Sequence, residues 1–349
     1  MAVKWGVIGA GGIADRRTIP EMIRGANNSS LLAVMDVDPT AASKVRDKYG
    51  TLYAYTSDIE LLENEDVQVV YVASPVHVHA RQVIEAARRG KHVLCEKPLA
   101  GTIVEAAQML DACEEAGVLL GVNFQMRLNR YNQLARDLVA QGALGRVVTG
   151  RAQLTCWYPP IPGAWRQNRA LGRGGAMMDM GPHCVDTLEY ILGEQVLAVM
   201  SLQSTLVHHY DVDDTAVALL EFASGSIGLV ETSFAIPDEV SLNALEIYSE
   251  RGSLQATGTL GQTPTGEMIS CLAPNVGGYR PRQDRERATL VEEQYHLEGP
   301  PLYGEMVRLF SEAVTSGSPL VADGQQGMHN LRVLLAIYES AQTGRKVAV

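Results

Sequence analysis

The chain has 349 residues, a length typical of about two domains that each bury a core. Hydrophobic residues make up 46% of it and charged residues 20%, which excludes an intrinsically disordered chain. The 29 Lys and Arg residues against 40 Asp and Glu residues give a formal net charge of −11. Because an acidic protein repels phosphate backbones and anionic lipids, the charge argues against nucleic-acid and membrane partners.

The five cysteines are widely spaced and form no CxxC pair. This spacing argues against a disulfide framework or a zinc cage, and it favours a reducing compartment. We therefore expect a cytoplasmic protein with no bound metal. His208 and His209, with the acidic residues that follow them, fit a turn between two strands better than a metal site.

Strand-like and helix-like patterns alternate up to about residue 122. Apolar runs predict strands at 4–8, 31–36, 67–73, 92–95 and 119–123. Helical patterns at 80–89 and 102–116 end at Gly90 and Gly117, and Thr102 is a candidate cap for the second. This alternation predicts a parallel sheet with helices packed on it.

Beyond residue 122 the pattern changes to longer alternating strands separated by hairpin signals. We expect strands at 145–157, 196–207, 215–222, 226–235 and 242–249, which predict an antiparallel sheet. Helical patterns lie at 132–141, 186–192, 303–315 and 327–343. The polar, Gly/Pro-rich segment 261–301, with its charge run at 280–287, is expected to be a long surface excursion.

A glycine-rich turn directly follows the first predicted strand, with the sequence Gly9-Ala10-Gly11-Gly12-Ile13-Ala14. In this context Gly9 permits a tight turn, Gly11 lets the backbone approach a pyrophosphate, and Ala14 lets helix and strand pack closely. The N-terminus of the following helix then faces the phosphates. We expect Gly9, Gly11, Gly12 and Ile13 to bind a dinucleotide, although a bare turn of an α/β protein has the same pattern.

Asp36 ends the second predicted strand, where a carboxylate accepts hydrogen bonds from the adenosine ribose hydroxyls. The same carboxylate repels a 2′-phosphate, and no arginine follows it directly. The sequence therefore favours NAD over NADP. An alternative is that Asp36 merely caps a turn toward Pro39.

Polar groups follow the third and fourth strands, at the edge of the sheet where ligands bind in α/β folds. Ser74, Pro75 and His79 follow the third strand, and Glu96 and Lys97 follow the fourth. We expect all five to lie near the cofactor. The alternative is a solvated Lys97 that simply pairs with Glu96.

A third polar cluster contains Asp179 and His183, four residues apart. They share a face if the helix runs through Pro182, and they form a plausible acid/base pair there. If Pro182 is the first residue of the helix, Asp179 lies in the preceding loop instead. A charge at a helix N-terminus with a buried core histidine is the simpler alternative.

Three motifs occur in order: Gly9-x-Gly11-x-x-Ala14, Glu96-Lys97-Pro98 and Gly174-Gly175-x-x-x-Asp179-x-Gly181-x-His183-x-x-Asp186. In this order and spacing they closely resemble those of the Gfo/Idh/MocA oxidoreductases. The likeness covers nearly the whole chain except 261–301. In the third motif, Arg173 stands where the family has the first of three glycines, which puts the loop geometry there in question.

The resemblance implies an α/β fold with an N-terminal NAD-binding Rossmann domain and a C-terminal α/β domain with an open, mostly antiparallel sheet. We place these domains at 1–122 and 123–349, with the second binding substrate and forming a homodimer or homotetramer through its sheet. The implied reaction transfers hydride between NAD(H) and a CH–OH/C=O centre of a sugar, cyclitol or sugar derivative.

By motif, the resemblance implies that Lys97 is the catalytic lysine and that Asp179 and His183 are the polar pair at the substrate. His183 would take the hydroxyl proton while Lys97 stabilises the alkoxide, although the choice of base between them stays open. Two other functions remain possible: a glycosidase or lyase that oxidises a sugar transiently with NAD, and a catalytically silent sugar-sensing regulator.

Substrate specificity is expected from the Pro-rich loop before the third motif. Trp165 and Arg166 are the first candidates because aromatic faces stack on sugar C–H surfaces. Gln125 and Arg127, after the fifth strand, are further candidates. Alternatively, the tryptophans are packing anchors and the loop arginines are a solvated face.

Overall fold

The computed structural model describes residues 2–275, 278 and 289–349, so the charge run at 280–287 lies outside the described residues. The chain forms two compact units. The first contains the residues up to Gln125 together with 161–179 and 300–332. The second contains 126–160, 180–299 and 333–349. The expected domain boundary at residue 122 stays a prediction.

The first unit contains a six-stranded parallel sheet, as the alternating pattern predicts. Its strands are β1 Val3–Ile8, β2 Ser29–Met35, β3 Tyr53–Tyr55, β4 Val69–Val72, β5 His92–Cys95 and β6 Leu120–Val122. They lie in the order β3-β2-β1-β4-β5-β6, so the chain reverses direction across the sheet between β1 and β4. That switch point is where ligands bind in doubly wound folds. All four residues of β4 are buried, as expected of a strand covered on both faces.

The helices are α1 Ile19–Gly25, α2 Pro39–Tyr49, α3 Asp58–Glu63, α4 Val76–Arg88, α5 Ile103–Ala116, α6 Arg130–Ala140, α7 Arg169–Gly172, α8 Ala176–Leu192, α9 Leu302–Ser316 and α10 Gly324–Thr343. Short 3₁₀ turns lie at Gln125–Leu128, Trp165–Gln167 and Asp238–Val240. A π-helical turn, Ala14–Thr18, precedes α1. Thr102 caps α5 as expected, since its hydroxyl accepts the N–H of Glu105 at 3.2 Å.

The second unit contains a nine-stranded sheet that is antiparallel except for one parallel pair, β7 with β10. Its strands are β7 Val147–Thr155, β8 Val196–Ser204, β9 Thr215–Phe222, β10 Ile227–Ser233, β11 Ala244–Ser249, β12 Gly252–Thr257, β13 Glu267–Asn275, β14 Thr289–Tyr295 and β15 Val347–Ala348. They lie in the order β14-β13-β12-β11-β7-β10-β9-β8-β15. This open, mostly antiparallel sheet confirms the expected fold class.

The expectation of a long surface excursion at 261–301 is wrong for the two stretches that form strands, β13 and β14. Strands β13 and β14 pair with each other and extend the sheet beyond β12. Nearly every residue of β14 is exposed, so its sequence lacks the apolar alternation that identifies a half-buried strand. Backbone pairing across an open edge, rather than burial, forms this part of the sheet.

Within the described part of the chain, none of the helices is both long and apolar enough to cross a membrane.

Candidate functional site

The glycine turn after β1 has the geometry that a dinucleotide requires. Gly9 has φ of +82°, and a Cβ there would lie 2.8 Å from the Ala73 carbonyl carbon and the Ser74 nitrogen. Only glycine allows this close approach between the turn and the end of β4. Gly12 has φ of +49° and open space where a Cβ would lie, so a phosphate can approach the backbone there. Ile13 follows it in the first turn of the helix.

Asp36 lies directly beside this turn. Its Oδ2 accepts the backbone N–H of Gly11 at 3.0 Å, and its Oδ1 accepts the N–H of Asp38 at 3.1 Å. Helix α2 is capped by Asp38, whose Oδ1 accepts the N–H of Thr40 at 2.8 Å. The residue that caps the turn toward Pro39 is therefore Asp38 and not Asp36. The Asp36 carboxylate is held against the glycine turn.

A cavity of about 650 Å³ opens at this switch point. Its walls include Gly9, Gly11, Gly12, Asp36, Ser74, Pro75, His77 and Trp165. The cavity combines the open backbone at Gly12, a positioned carboxylate and apolar walls, and these features fit a dinucleotide. The residues present thus fit the nicotinamide cofactor that the sequence predicts.

His79, which the sequence predicts near the cofactor, lies behind the cavity wall instead. Its side chain is 1% exposed, and both ring nitrogens face backbone carbonyl oxygens. In its place, His77 is the histidine of α4 that lines the cavity. The sequence does not distinguish them, because which face of α4 turns inward depends on how the helix packs.

Glu96 belongs to a buried polar network at the end of β5. Its Oε1 accepts hydrogen bonds from the Tyr71 hydroxyl at 2.5 Å and from Asn123 Nδ2 at 2.7 Å. Burial and the nearby charge of Glu96 raise the pKa of Tyr71 well above its ordinary value, so Tyr71 stays a neutral donor. Glu96 therefore anchors the turn and does not pair with the Lys97 side chain.

Lys97 instead extends to the first turn of α8. Its ammonium donates to the Asp179 carbonyl oxygen at 2.6 Å and to Asp179 Oδ1 at 3.0 Å. Arg166 Nε donates to the same Oδ1 at 3.0 Å. The Lys97 and Asp179 side chains are 11% and 23% exposed, so the pair is enclosed but in contact with solvent. The structure brings these three predicted residues together.

The two cations determine the charge state of Asp179. Burial raises the pKa of this carboxyl, but Arg166 and Lys97 outweigh burial and hold the pKa well below its ordinary value. Asp179 is therefore an anion at neutral pH. It cannot act as the proton acceptor in a reaction near neutral pH, but it can orient the cations and hydroxyl groups around it.

Helix α8 begins at Ala176 and contains Pro182 in its interior. Of the two geometries that the sequence leaves open, the structure therefore has Asp179 in the first helical turn. His183 follows four residues later in the same helix, in the second compact unit, with 8% of its surface exposed.

Arg173 has φ of +65°, which explains why glycine is common at this position of the motif. It ends α7 in a left-handed conformation, and its guanidinium lies 3.7 Å from Glu105 of α5. The loop thus keeps the left-handed conformation that glycine would adopt there, and Arg173 bears the backbone strain. Arg166 and Arg173 both have acidic partners, Asp179 and Glu105.

Gln125 and Arg127, the remaining substrate candidates, are both buried. Neither polar atom of the Gln125 amide has a hydrogen-bond partner among the described residues. Arg127 donates three hydrogen bonds of 2.6 to 3.1 Å to the Asp186 carboxylate. The sequence does not predict this ion pair, although Asp186 belongs to the third motif, because no sequence pattern shows which cation meets that carboxylate.

His208 and the aspartates beyond it form a strand-to-strand turn, as expected. Asp214 accepts the backbone N–H groups of three consecutive residues, Leu206, Val207 and His208, at 2.8 to 2.9 Å. These bonds hold the Asp214 carboxylate against the turn backbone.

The fold and this geometry define a Rossmann protein with a dinucleotide cavity and an adjacent lysine–carboxylate pair. Residues 3–124 match the model of the oxidoreductase family with an NAD-binding Rossmann fold, and residues 132–255 match the model of the GFO/IDH/MocA C-terminal domain. The chain belongs to the GFO/IDH/MocA family and is an oxidoreductase, as the motifs indicate.

Similar proteins cover almost the full chain. The 1,5-anhydro-D-fructose reductase of Ensifer adhaerens is 29% identical over 99% of this chain and 98% of its own length. The D-xylose 1-dehydrogenase (NADP(+)) 2 of Haloferax volcanii is 31% identical over 98% of each. The crystal structure of aldose-aldose oxidoreductase from Caulobacter crescentus, complexed with glycerol, superposes with a TM-score of 0.88, at 27% identity over 100% of both chains.

Proposed function

We propose that this protein transfers hydride between NAD(H) and a CH–OH/C=O centre of a sugar, cyclitol or sugar derivative. The observation that carries the proposal is the Lys97–Asp179 pair, which lies in the same compact unit as the glycine turn and Asp36. The relatives named for anhydrofructose, xylose and aldoses support the substrate class.

When bound, the nicotinamide cofactor supplies the hydride acceptor or donor. The glycine turn would hold its phosphates and Asp36 its adenosine ribose, while Lys97 stabilises the developing negative charge on the substrate oxygen. Asp179 keeps the Lys97 ammonium in place and offers a hydrogen-bond acceptor to a second substrate hydroxyl. His183 is the proposed acceptor of the hydroxyl proton, with Lys97 as the alternative base.

The proposal includes a preference for NAD over NADP. It rests on Asp36, whose carboxylate is fixed beside Gly11 where a 2′-phosphate would meet like charge. One relative, the xylose dehydrogenase, is named for NADP(+). Asp36→Ser should reduce the ratio of NAD to NADP efficiency by about fivefold or more, since one charge repulsion at about 4 Å is worth about 1 kcal/mol or more.

Trp165, predicted as a substrate contact, lines the same cavity as Gly11 and Asp36. The Arg166 guanidinium lies 4.2 Å above its ring, so Arg166 connects the cavity wall to Asp179. We therefore extend the proposal so that Trp165 contacts the cofactor and Arg166 the substrate. Energy transfer from tryptophan to bound NADH should fall in Trp165→Phe and persist in the control Trp157→Phe.

The proposal also includes a homodimer or homotetramer formed through the open sheet of the second unit. Met200 and Leu202 of β8 lie opposite Leu219 and Val217 of β9, and all four are exposed. A contiguous apolar patch on a sheet face is typical of an oligomer interface. Leu202→Glu, placed in this patch, should shift the mass measured by light scattering toward the monomer.

The reaction is tested with a panel of sugars and cyclitols, run with NAD and NADP in parallel and monitored by absorbance of the reduced nicotinamide. Lys97→Met and His183→Ala are each expected to lower kcat by about 10²-fold or more, with the Kd for NADH little changed. Near-normal turnover in both variants would overturn the proposal. Tightly copurifying NAD without net turnover would favour the transient-oxidation alternative, and binding without any oxidation would favour the regulator.

A further inference from the structure

His79 occupies an enclosed position between two loops of the first compact unit. It lies in the first turns of α4 and is 1% exposed. Its Nε2 lies 2.8 Å from the carbonyl oxygen of Ser74. Its Nδ1 lies 3.2 Å from the carbonyl oxygen of Pro98 and 3.3 Å from that of Leu99.

All three partners are hydrogen-bond acceptors, so each contact requires the imidazole to donate. A neutral imidazole has one N–H and therefore satisfies only one side at a time, whereas an imidazolium donates on both sides. Burial lowers the pKa of His79, against the opposing effects of the Ser74 carbonyl and the Glu96 charge. A buried ring with carbonyl groups at both ends is a polar connection rather than ordinary core packing.

The two loops that His79 joins carry different parts of the proposed site. Ser74 and Pro75 form the wall of the cofactor cavity at the end of β4. Pro98 and Leu99 directly follow Lys97, whose ammonium is held by Asp179. The cavity wall and the lysine turn each have a separate anchor. Gln82 accepts a hydrogen bond from the Ser74 hydroxyl, and Tyr71 donates one to Glu96.

We propose that His79 is a positioning residue that ties the Ser74–Pro75 wall of the cofactor cavity to the backbone behind Lys97. It touches neither cofactor nor substrate, and it acts by fixing the separation between the bound nicotinamide and the Lys97 ammonium. This inference rests on the proposed function for its catalytic consequence. Hydride transfer needs near-contact geometry, so a displacement of about 1 Å is enough to lower kcat by about 10²-fold.

Three substitutions separate the two ends of the connection. His79→Phe keeps a planar ring of similar size and removes both ring nitrogens. His79→Asn places an amide N–H near the position of Nδ1, toward Pro98 and Leu99, and His79→Gln places one near the position of Nε2, toward Ser74. A merely structural role of the ring predicts that Phe is the mildest of these changes.

Steady-state kinetics and NADH binding are measured on each folded variant. We expect His79→Phe to lower kcat by about 10-fold to 10²-fold, with the KM for the sugar nearly unchanged. His79→Asn should restore kcat to within about threefold of the wild type, because it again holds the backbone behind Lys97. His79→Gln should bind NADH as tightly as the wild type but should not recover kcat. A wild-type kcat in His79→Phe, or no rescue by either amide, would overturn the inference.

Amide hydrogen exchange gives a readout that does not depend on turnover. In His79→Phe, the peptide containing Leu99 and Ala100 should exchange about tenfold faster or more, while peptides from the nine-stranded sheet are unchanged. His79→Asn should reverse this acceleration. If the wild type oxidises no sugar, the proposed function fails, and the exchange rates alone decide whether His79 holds the loop. Unchanged exchange in His79→Phe would contradict the connection itself.

Discussion

Two carboxylates of helix α8, Asp179 and Asp186, lie seven residues apart in the sequence and each binds an arginine. Asp179 shares its Oδ1 between Lys97 and Arg166, and its side chain is 23% exposed. Asp186 accepts three hydrogen bonds from Arg127 and is 3% exposed. We call Asp179 with its cations Lys97 and Arg166 the open pair, and Asp186 with Arg127 the closed pair.

The two environments shift the pKa values in opposite directions. Burial raises the pKa of Asp186 to about 6, against the lowering effect of Arg127. For Asp179, the two cations outweigh burial and hold the pKa well below its ordinary value. An excess of positive charge with access to water is what a site needs to receive a substrate oxygen, whereas one-to-one charge neutralisation in the core is structural.

The largest expected effect is on stability, when the closed pair is broken. Arg127→Met leaves the Asp186 carboxylate buried without a cation and should lower the free energy of unfolding at neutral pH by about 3–5 kcal/mol. Because the pKa of Asp186 is raised in the folded state, the contribution of this carboxyl to stability is fully present below about pH 4. That contribution is lost as the pH rises through about 6. The loss in Arg127→Met should therefore shrink in acid, as measured by urea unfolding at about pH 5 and about pH 8.

A double variant, Arg127→Met with Asp186→Leu, is the matched control because it removes both charges. It should recover most of the lost stability and show little of the pH dependence, since neither charge of this pair remains. It also tests Arg127 as a substrate contact, the role that the sequence predicts. A stable double variant with wild-type turnover would leave Arg127 a structural residue, and a raised KM for the sugar would restore the substrate role.

The next largest effect is on catalysis, when the open pair is broken. Asp179→Asn keeps the shape of the side chain but removes the charge that holds Lys97, so kcat should fall by about 10²-fold. The lowered pKa of Asp179 gives a stability contribution that is present above about pH 4 and lost as pH falls, opposite in sign to Asp186. A kcat within threefold of the wild type would contradict the distinction between the two pairs.

Much of the cofactor half could be predicted from the sequence because its signals are local. A buried parallel strand such as β4 is a continuous apolar run, and Gly9 is required by its own backbone angle and close contact. Asp36 is found by its place at the end of β2. In each case the sequence signal lies within a few residues of the side chain concerned, although the contact that requires Gly9 is with Ala73 and Ser74.

The rest depends on partners that are distant in sequence. The sequence does not show that Arg166 meets Asp179, that Arg127 meets Asp186, or that His79 faces away from the cavity that His77 lines. The sequence does not predict β14 either, because nearly all of its residues are exposed and no buried face imposes an apolar period. In β13 the alternation is short, with Met268 and Ser270 buried. Long-range pairing and side-chain direction come from packing, which composition and spacing do not encode.

A smaller effect is expected from removing the second cation of the open pair. Arg166→Gln leaves Lys97 on Asp179, so kcat should fall by only about tenfold, because the lost interaction is partly exposed to water. Arg166→Lys restores a charge but not the stacking on Trp165, and it should recover part of the loss. If Arg166→Gln lowers kcat as much as Lys97→Met does, the two cations act as one unit.

The smallest expected effect is at Arg173, which is close to Asp179 in the sequence but pairs with Glu105 instead. Arg173→Gly relieves a left-handed conformation that costs an L-residue about 1–2 kcal/mol. It also removes the 3.7 Å pair with Glu105, which is partly exposed and worth at most about 1 kcal/mol. Stability should therefore rise slightly, by up to about 1 kcal/mol, with kcat unchanged. Lower stability would mean that the Glu105 contact outweighs the strain, and a changed kcat would mean that this loop, and not only its ion pairs, sets the position of Asp179.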